Sequence, residues 1–331
     1  RQPKIKYRIG NFFLFKKNQK ISISWSREIH ERLGIWDFFL SWFHIERPEI
    51  RLCYFKSRKF FEYESQKFVQ EKGNSLNTPE ILAFLIQSIH LVPKKLTVKP
   101  DFMNYQPDIN GKMRAILVDW LIDVHNKFKL IPKTLHLTVN ILDRFLGQKS
   151  LVRQKLQLLG ITSMLLASKH EEIYAPETQD FVYISDKSYT KDDIFKMETL
   201  ICSTLKYRFS HISSIVFLSC WLKFLKVDQN KIIFSIYCID LTLLDLSIMK
   251  FPQKTIAASA TLVMLETLSF SFDRRDDSEL KNFYKNFSIN QKELEECSNI
   301  LKSFLVLNQN GKRRLTSLKR KYSSKKYREI S

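Results

Sequence analysis

From about residue 78 onward, apolar residues recur at spacings of three and four, which is the period of α-helices. The clearest stretch is Met113 to Phe128. There Met113, Ile116, Leu117, Trp120, Leu121, Val124 and Phe128 form one broad apolar face of a roughly four-turn helix. Such a face needs a partner. Asp119, Asp123 and His125 fall mostly away from it, and Arg114 lies on its flank, where an arginine is either solvated or paired with a carboxylate from another helix. Asp108 to Gly111 supplies turn formers and capping side chains. Lys127 and Lys129 close the helix with charges that suit its dipole.

The same pattern predicts further helices. Thr78-Pro79 opens a lead-in helix carrying Ile81, Leu82, Leu85, Ile89 and Leu91, which Pro93 and Pro100 end. After Ile131-Pro132, a helix over 133–147 turns Leu135, Val139, Leu142 and Phe145 inward. The helix over 153–172 mixes Leu156, Leu159 and Leu166 with Gly160, Ser163, Ala167 and Ser168. Small residues let neighbours approach closely, so this is expected to be the central helix. Short helices over 178–184 and 189–205 complete a set of five. A second set is predicted over 213–226, 229–246, 252–268, 277–286 and 291–307. In it Gln253-Lys254 and the small-residue run that follows echo Gln154-Lys155. The expected fold is all-α: two tandem five-helix domains, 78–209 and 210–310, preceded by an N-terminal helix and flanked by extensions 1–77 and 311–331.

Composition narrows the class. Seven glycines and nine prolines in 331 residues are too few for a turn-rich barrel or sandwich. The five cysteines show no metal spacing and read as reduced, buried thiols. No apolar run is long enough to cross a bilayer and no leader is evident, so a soluble intracellular protein without a membrane partner is expected. The net charge of +20 is concentrated at the ends. Residues 1–78 hold sixteen Lys/Arg against eight Asp/Glu, and residues 311–331 hold nine against one. The distribution favours solvated ends over a specific nucleic-acid surface. Residues 1–77 are unusually aromatic, with Trp25, Trp36 and Trp42 among many phenylalanines, but show no sustained period. The chain has no phosphate loop, no nucleophile with a base and no histidine pair at ligand spacing; neither catalysis nor a cofactor or metal is expected.

The blocks MRAILVDWL at 113–121, LDRFL at 142–146, KLQLLG at 155–160, MLLASKHEEI at 164–173, DFVYISD at 180–186 and the Met197-Glu198 pair resemble the cyclin box of mitotic A/B-type cyclins in order and spacing. FMNYQPDIN at 102–110 and KYSSKKYREIS at 321–331 resemble that family's lead-in and C-terminal end. The resemblance implies a non-catalytic regulatory subunit of a cyclin-dependent protein kinase, active in G2/M and found in nucleus and cytoplasm. It implies that Lys169 and Glu198 hold the kinase, with Leu166, His170 and Cys202 as apolar surroundings. His170 replaces an aromatic residue usual in the family, and Cys202 a larger aliphatic one. It further implies a docking groove of Met113, Ile116, Leu117, Trp120 and Gln157 with Asp123 as acidic rim, for substrate or inhibitor peptides with a basic-x-leucine motif. Arg114 and Asp143 match a structural ion pair. The residues alone leave open that Met113, Ile116 and Trp120 are core, and that Lys169 lies along the surface beside Glu171 or Glu172.

Two features bear on regulation. Arg-x-x-Leu, the family's degradation signal, occurs only at Arg114–Leu117 and Arg153–Leu156, inside expected helices. Lys312-Arg313-Arg314 and Lys319-Arg320-Lys321 have the composition of import signals. A transcription factor of the IIB kind has the same double five-helix fold, but would carry a zinc ribbon and basic repeats. A cyclin-fold scaffold that binds no kinase is the other alternative.

Overall fold

The computed structural model describes residues 100–209, 211–225, 227–268, 289–309 and 315–324, residues 98 and 327, and two short strands. The strands, β1 (Leu14–Lys16) and β2 (Gln19–Ile21), pair antiparallel with Leu14 opposite Ile21 and Lys16 opposite Gln19. Three-residue strands are too short for any period to mark them in the sequence. They belong to the unit of residues 1–43, and the helices belong to the unit of residues 44–331. The rest of the aromatic extension, the expected lead-in helix over 78–91 and the expected helix over 277–286 lie outside the described residues.

The first five helices among the described residues are α1 (Gly111–Lys127), α2 (Pro132–Leu146), α3 (Leu156–Glu171), α4 (Thr178–Ile184) and α5 (Lys191–Thr204). Their ends follow local chemistry. Asn110 caps α1 by accepting from the Met113 N–H at 3.0 Å, and Pro132 opens α2 where its missing N–H costs nothing. Thr190 and Asp193 form a reciprocal capping box at the start of α5. The chain passes from α2 to α3 through a 3-10 turn, Arg153–Lys155. The buried amide of Gln106 ties this crossing down, donating to the Leu146 and Lys149 carbonyls and accepting from the Leu151 N–H.

Helix α3 is the centre of this set, packing against α1, α2, α4 and α5. Contact on every side leaves no amphipathic stripe, and all of its residues are buried except Gln157, which is half-buried, and Lys169, which is exposed. Close approach to α1 requires Gly160: a Cβ there would sit 2.9 Å from Leu117 Cδ1.

The second set comprises α6 (Ser214–Leu225), α7 (Gln229–Thr242), α8 (Gln253–Leu268) and α9 (Gln291–Gln309). Helix α7 stops at Thr242, earlier than its apolar pattern suggests, and a 3-10 turn, Leu246–Lys250, follows. Helix α8 takes the central role, with Ala257, Ala258, Ser259, Ala260 and Thr261 all buried against α6, α7 and α9.

The C-terminal segment departs from expectation. Residues 311–331 were read as a solvated basic tail, yet Ser317–Tyr322 forms a short helix, α10, packed on α1 and α7. Lys321 is 3% exposed. Its ammonium reaches Asp240 Oδ2 at 2.8 Å, the Tyr322 hydroxyl donates to the same oxygen at 2.7 Å, and His136 Nε2 lies 3.1 Å from Asp240 Oδ1. The buried carboxylate is the physical reason: it draws a lysine out of water that composition alone assigns to solvent. Asp240 thereby joins α2 of the first domain, α7 of the second and the end of the chain.

His125, buried on α1, gives the fold a testable acid sensitivity. Its Nε2 lies 2.9 Å from the Ile131 carbonyl, to which it donates, and its Nδ1 has no hydrogen-bond partner among the described residues. Burial, with the Lys321 charge adding to it, lowers its pKa from 6.5 to about 4. The unfolded chain then binds the extra proton first, so the stabilisation from neutral His125 is complete above pH 6.5 and is lost as pH falls toward 4. The loss amounts to at most about 3 kcal/mol. Denaturant titrations at pH 7 and pH 4.5 should show a smaller drop in His125→Gln than in the parent; equal drops would refute this assignment.

Candidate functional site

Lys169 lies in the last turn of α3 as its single exposed residue, and Glu198 faces it from α5. Lys169 Nζ lies 2.8 Å from Glu198 Oε1. Both remain partly open to solvent. Below them Leu166, His170 and Cys202 are buried, and His170 Nδ1 contacts Glu171 Oε1 at 3.1 Å. Glu171 is not a partner of Lys169; Lys133 pairs with it at 2.9 Å. Burial pushes the Glu171 carboxyl up, but the His170 hydrogen bond and the Lys133 charge outweigh that and hold it below the ordinary value. Glu172 accepts from the Ile131 N–H at 2.9 Å and from the Thr134 hydroxyl, so it caps α2. The two glutamates beside Lys169 are thus committed to α2, which fixes the end of α3 and leaves Lys169 to face Glu198.

The sequence reading missed the apolar margin of this pair. Ile173 is 73% exposed and Tyr174 92%, directly after α3, while Phe195 is exposed one turn before Glu198 and Tyr183 is exposed on α4. Exposed apolar side chains gathered in one patch are a common feature of protein–protein contact surfaces. The available signal was their position: Ile173 and Tyr174 follow the last turn of α3, and Phe195 shares a face with Glu198.

The second surface runs along α1. Ile116 is 62% exposed, Met113 and Trp120 are half-buried, and Leu117 is buried against α3, where Gln157 is half-exposed. Of the apolar face seen in the sequence, Leu117, Leu121 and Val124 turn into the core while Met113, Ile116 and Trp120 stay at the surface. Asp123 and Asp119, one turn apart, both face α10. Ser317 Oγ lies 2.9 Å from Asp119 Oδ2 and 2.9 Å from Asp123 Oδ2, the Ser317 N–H donates to Asp119 Oδ1 at 3.2 Å, and Arg320 Nη2 lies 3.3 Å from Asp123 Oδ2. Burial raises the pKa of Asp119, the Ser317 hydrogen bonds oppose the rise, and the neighbouring Asp123 charge adds to it.

Arg114 and Asp143 meet in a buried fork: Arg114 Nε to Oδ1 and Nη2 to Oδ2 are both 2.7 Å. Arg114 Nη1 also donates to the Leu243 carbonyl of the second domain at 2.8 Å. Both Arg-x-x-Leu matches are in folded structure. Arg114 and Leu117 are buried, and Arg153 binds Asp108 while Leu156 is buried.

The model of the cyclin N-terminal domain matches residues 80–210, and that of the cyclin C-terminal domain matches residues 212–331. The G2/mitotic-specific cyclin-2 of Medicago sativa is 39% identical over 261 residues, 78% of this chain and 76% of that protein. Cyclin-B2-1 of Oryza sativa subsp. japonica is 39% identical over 257 residues; these are 78% of this chain and 60% of that protein. The G2/mitotic-specific cyclin-B of Patella vulgata is 39% identical over 263 residues, 62% of its length. The chain thus spans about three fifths of several relatives it matches. Among solved structures, a viral cyclin from herpesvirus saimiri superposes with a TM-score of 0.59, covering 72% of this chain and 99% of that one at 20% identity, a likeness of fold.

Proposed function

Since this chain belongs to the cyclin family, we propose that it is the activating, non-catalytic subunit of a cyclin-dependent serine/threonine protein kinase working in G2/M, in nucleus and cytoplasm. The observation that carries the reading is the Lys169–Glu198 pair, set among the exposed Ile173, Tyr174 and Phe195. In solution the two charges satisfy each other. When a partner covers them, each can turn to a backbone carbonyl or amide of the kinase, and charge-assisted hydrogen bonds in a desolvated interface fix the register. Leu166, His170 and Cys202 form the floor beneath.

Activation follows from population shift. A kinase with its catalytic Lys–Glu pair and metal-binding loop misaligned is inactive, and a subunit that binds only the aligned state shifts the equilibrium by its differential affinity. The α1 surface of Met113, Ile116, Leu117, Trp120, Gln157 and Asp123 serves as the docking groove for substrate or inhibitor peptides, raising their local concentration. No specific nucleic acid, membrane or cofactor enters this reading.

The test is co-purification of the full chain with kinase from a dividing-cell extract, assayed by histone phosphorylation with labelled ATP. Removing buried interfacial charges costs about 2–5 kcal/mol, so Lys169→Ala/Glu198→Ala should lose at least about 30-fold in recovered activity. Its own stability should change by no more than about 1 kcal/mol, because the pair is partly open to solvent in the free chain. Equal recovery by the double variant, or no kinase activity with the parent chain, would refute the proposal.

A further inference from the structure

The groove's acidic rim is already engaged by the chain itself. Asp123 would receive the basic residue of a docking peptide, yet Arg320 of α10 stands 3.3 Å from it and Ser317 is bonded to both rim carboxylates. A serine hydroxyl has one proton, so it is shared between the two carboxylates and neutralises neither. Arg320 supplies the only full positive charge within ion-pair distance of Asp123 among the described residues.

Arg320 is also held in place. The next two residues, Lys321 and Tyr322, are buried on Asp240, and the Tyr322 ring packs on Tyr237 at 4.9 Å. Pinning them keeps the guanidinium beside Asp123 at the effective concentration of an intramolecular ligand. The ion pair itself is largely exposed, and such pairs are weak and screened by salt. Arg320 is therefore a competitor that a peptide displaces at some cost, and not a lock.

We propose that Arg320 sets the charge preference of the docking groove: by occupying Asp123 it cancels the advantage of a basic residue, so that peptides are selected by the apolar side chains that meet Met113, Ile116 and Trp120. The partner implied is an extended segment with a leucine anchor and no requirement for a preceding arginine. The inference rests on reading α1 as a docking groove.

The experiment uses the full chain and two fluorescein-labelled peptides, identical except for arginine or glutamine two positions before the leucine, with anisotropy as readout. The parent chain should bind both within about twofold, whereas Arg320→Gln should favour the arginine peptide by about threefold to fivefold, the range an exposed ion pair supports. Arg320→Glu, which adds a carboxylate to the rim, should favour it by about tenfold. The glutamine peptide should bind all three alike. A tenfold preference for arginine in the parent chain, or a ratio that neither variant changes, overturns the role of Arg320. Failure of parent and variants alike to bind either peptide, or equal binding by Trp120→Ala, removes the groove and this inference with it. Both results are distinct from a negative kinase assay, which concerns the Lys169 surface.

Discussion

Replacing Lys321 by methionine is expected to cost the folded chain about 3–5 kcal/mol, the loss that follows when one partner of a buried ion pair is removed. Asp240 is fully buried and bonded to Lys321, Tyr322 and His136. Burial alone would raise its pKa, but the Lys321 charge and the His136 hydrogen bond overcome that and hold the carboxylate well below its ordinary 3.8. Without Lys321 the carboxylate stays buried with only its contacts to Tyr322 and His136. The double variant Lys321→Met/Asp240→Leu removes the charge as well, and should recover a large part of the loss. The contribution of Asp240 should be complete above about pH 4 and disappear as pH falls, because the unfolded carboxylate takes up the proton first. Urea unfolding at pH 7 measures the single and double variants; a loss below about 1 kcal/mol for Lys321→Met would show that α10 is not fastened here.

The second large effect is expected at Arg114. Arg114→Ala leaves the Asp143 carboxyl group buried without its partner and the Leu243 carbonyl without its donor, again a loss of about 3–5 kcal/mol. Arg114→Lys keeps the charge but not the fork, so an intermediate loss is expected. In a double-mutant cycle with Asp143→Ala, the two substitutions should fall short of additivity by about 1–3 kcal/mol. Additive losses would mean that the two side chains act independently despite their 2.7 Å contacts.

These two sites contrast in how far the sequence reveals them. Arg114 on the flank of an apolar stripe is either solvated or paired with a carboxylate from another helix, and the resemblance to the family motif points to Asp143. Asp240 gives no such signal: it sits among Ile239, Leu241 and Thr242 in the largely apolar last turns of its helix, and its partners come from residues 136, 321 and 322. Charge counting placed Lys321 and Arg320 in a solvated tail because composition does not record where a chain folds back. The same limit applies to the α1 groove. Periodicity puts Met113, Ile116, Leu117 and Trp120 on one face, and only the packing of α3, with Gly160 drawn against Leu117, divides that face into core and surface.

What the sequence alone determined is everything that depends on near neighbours. The described helices α1 to α9 are present at nearly the expected positions, because helical period, caps and proline breaks act within a few residues. The central place of α3 was likewise visible in its small residues. The tertiary structure decided the rest, which depends on residues far apart in the chain: the Glu198 partner of Lys169, the exposed margin of Ile173, Tyr174 and Phe195, the Asp240 junction, and the placement of Arg320 on Asp123. An ion pair is set by which carboxylate the fold brings within a few ångströms in a low-dielectric setting. That distance is a property of the packed chain, and no local pattern encodes it.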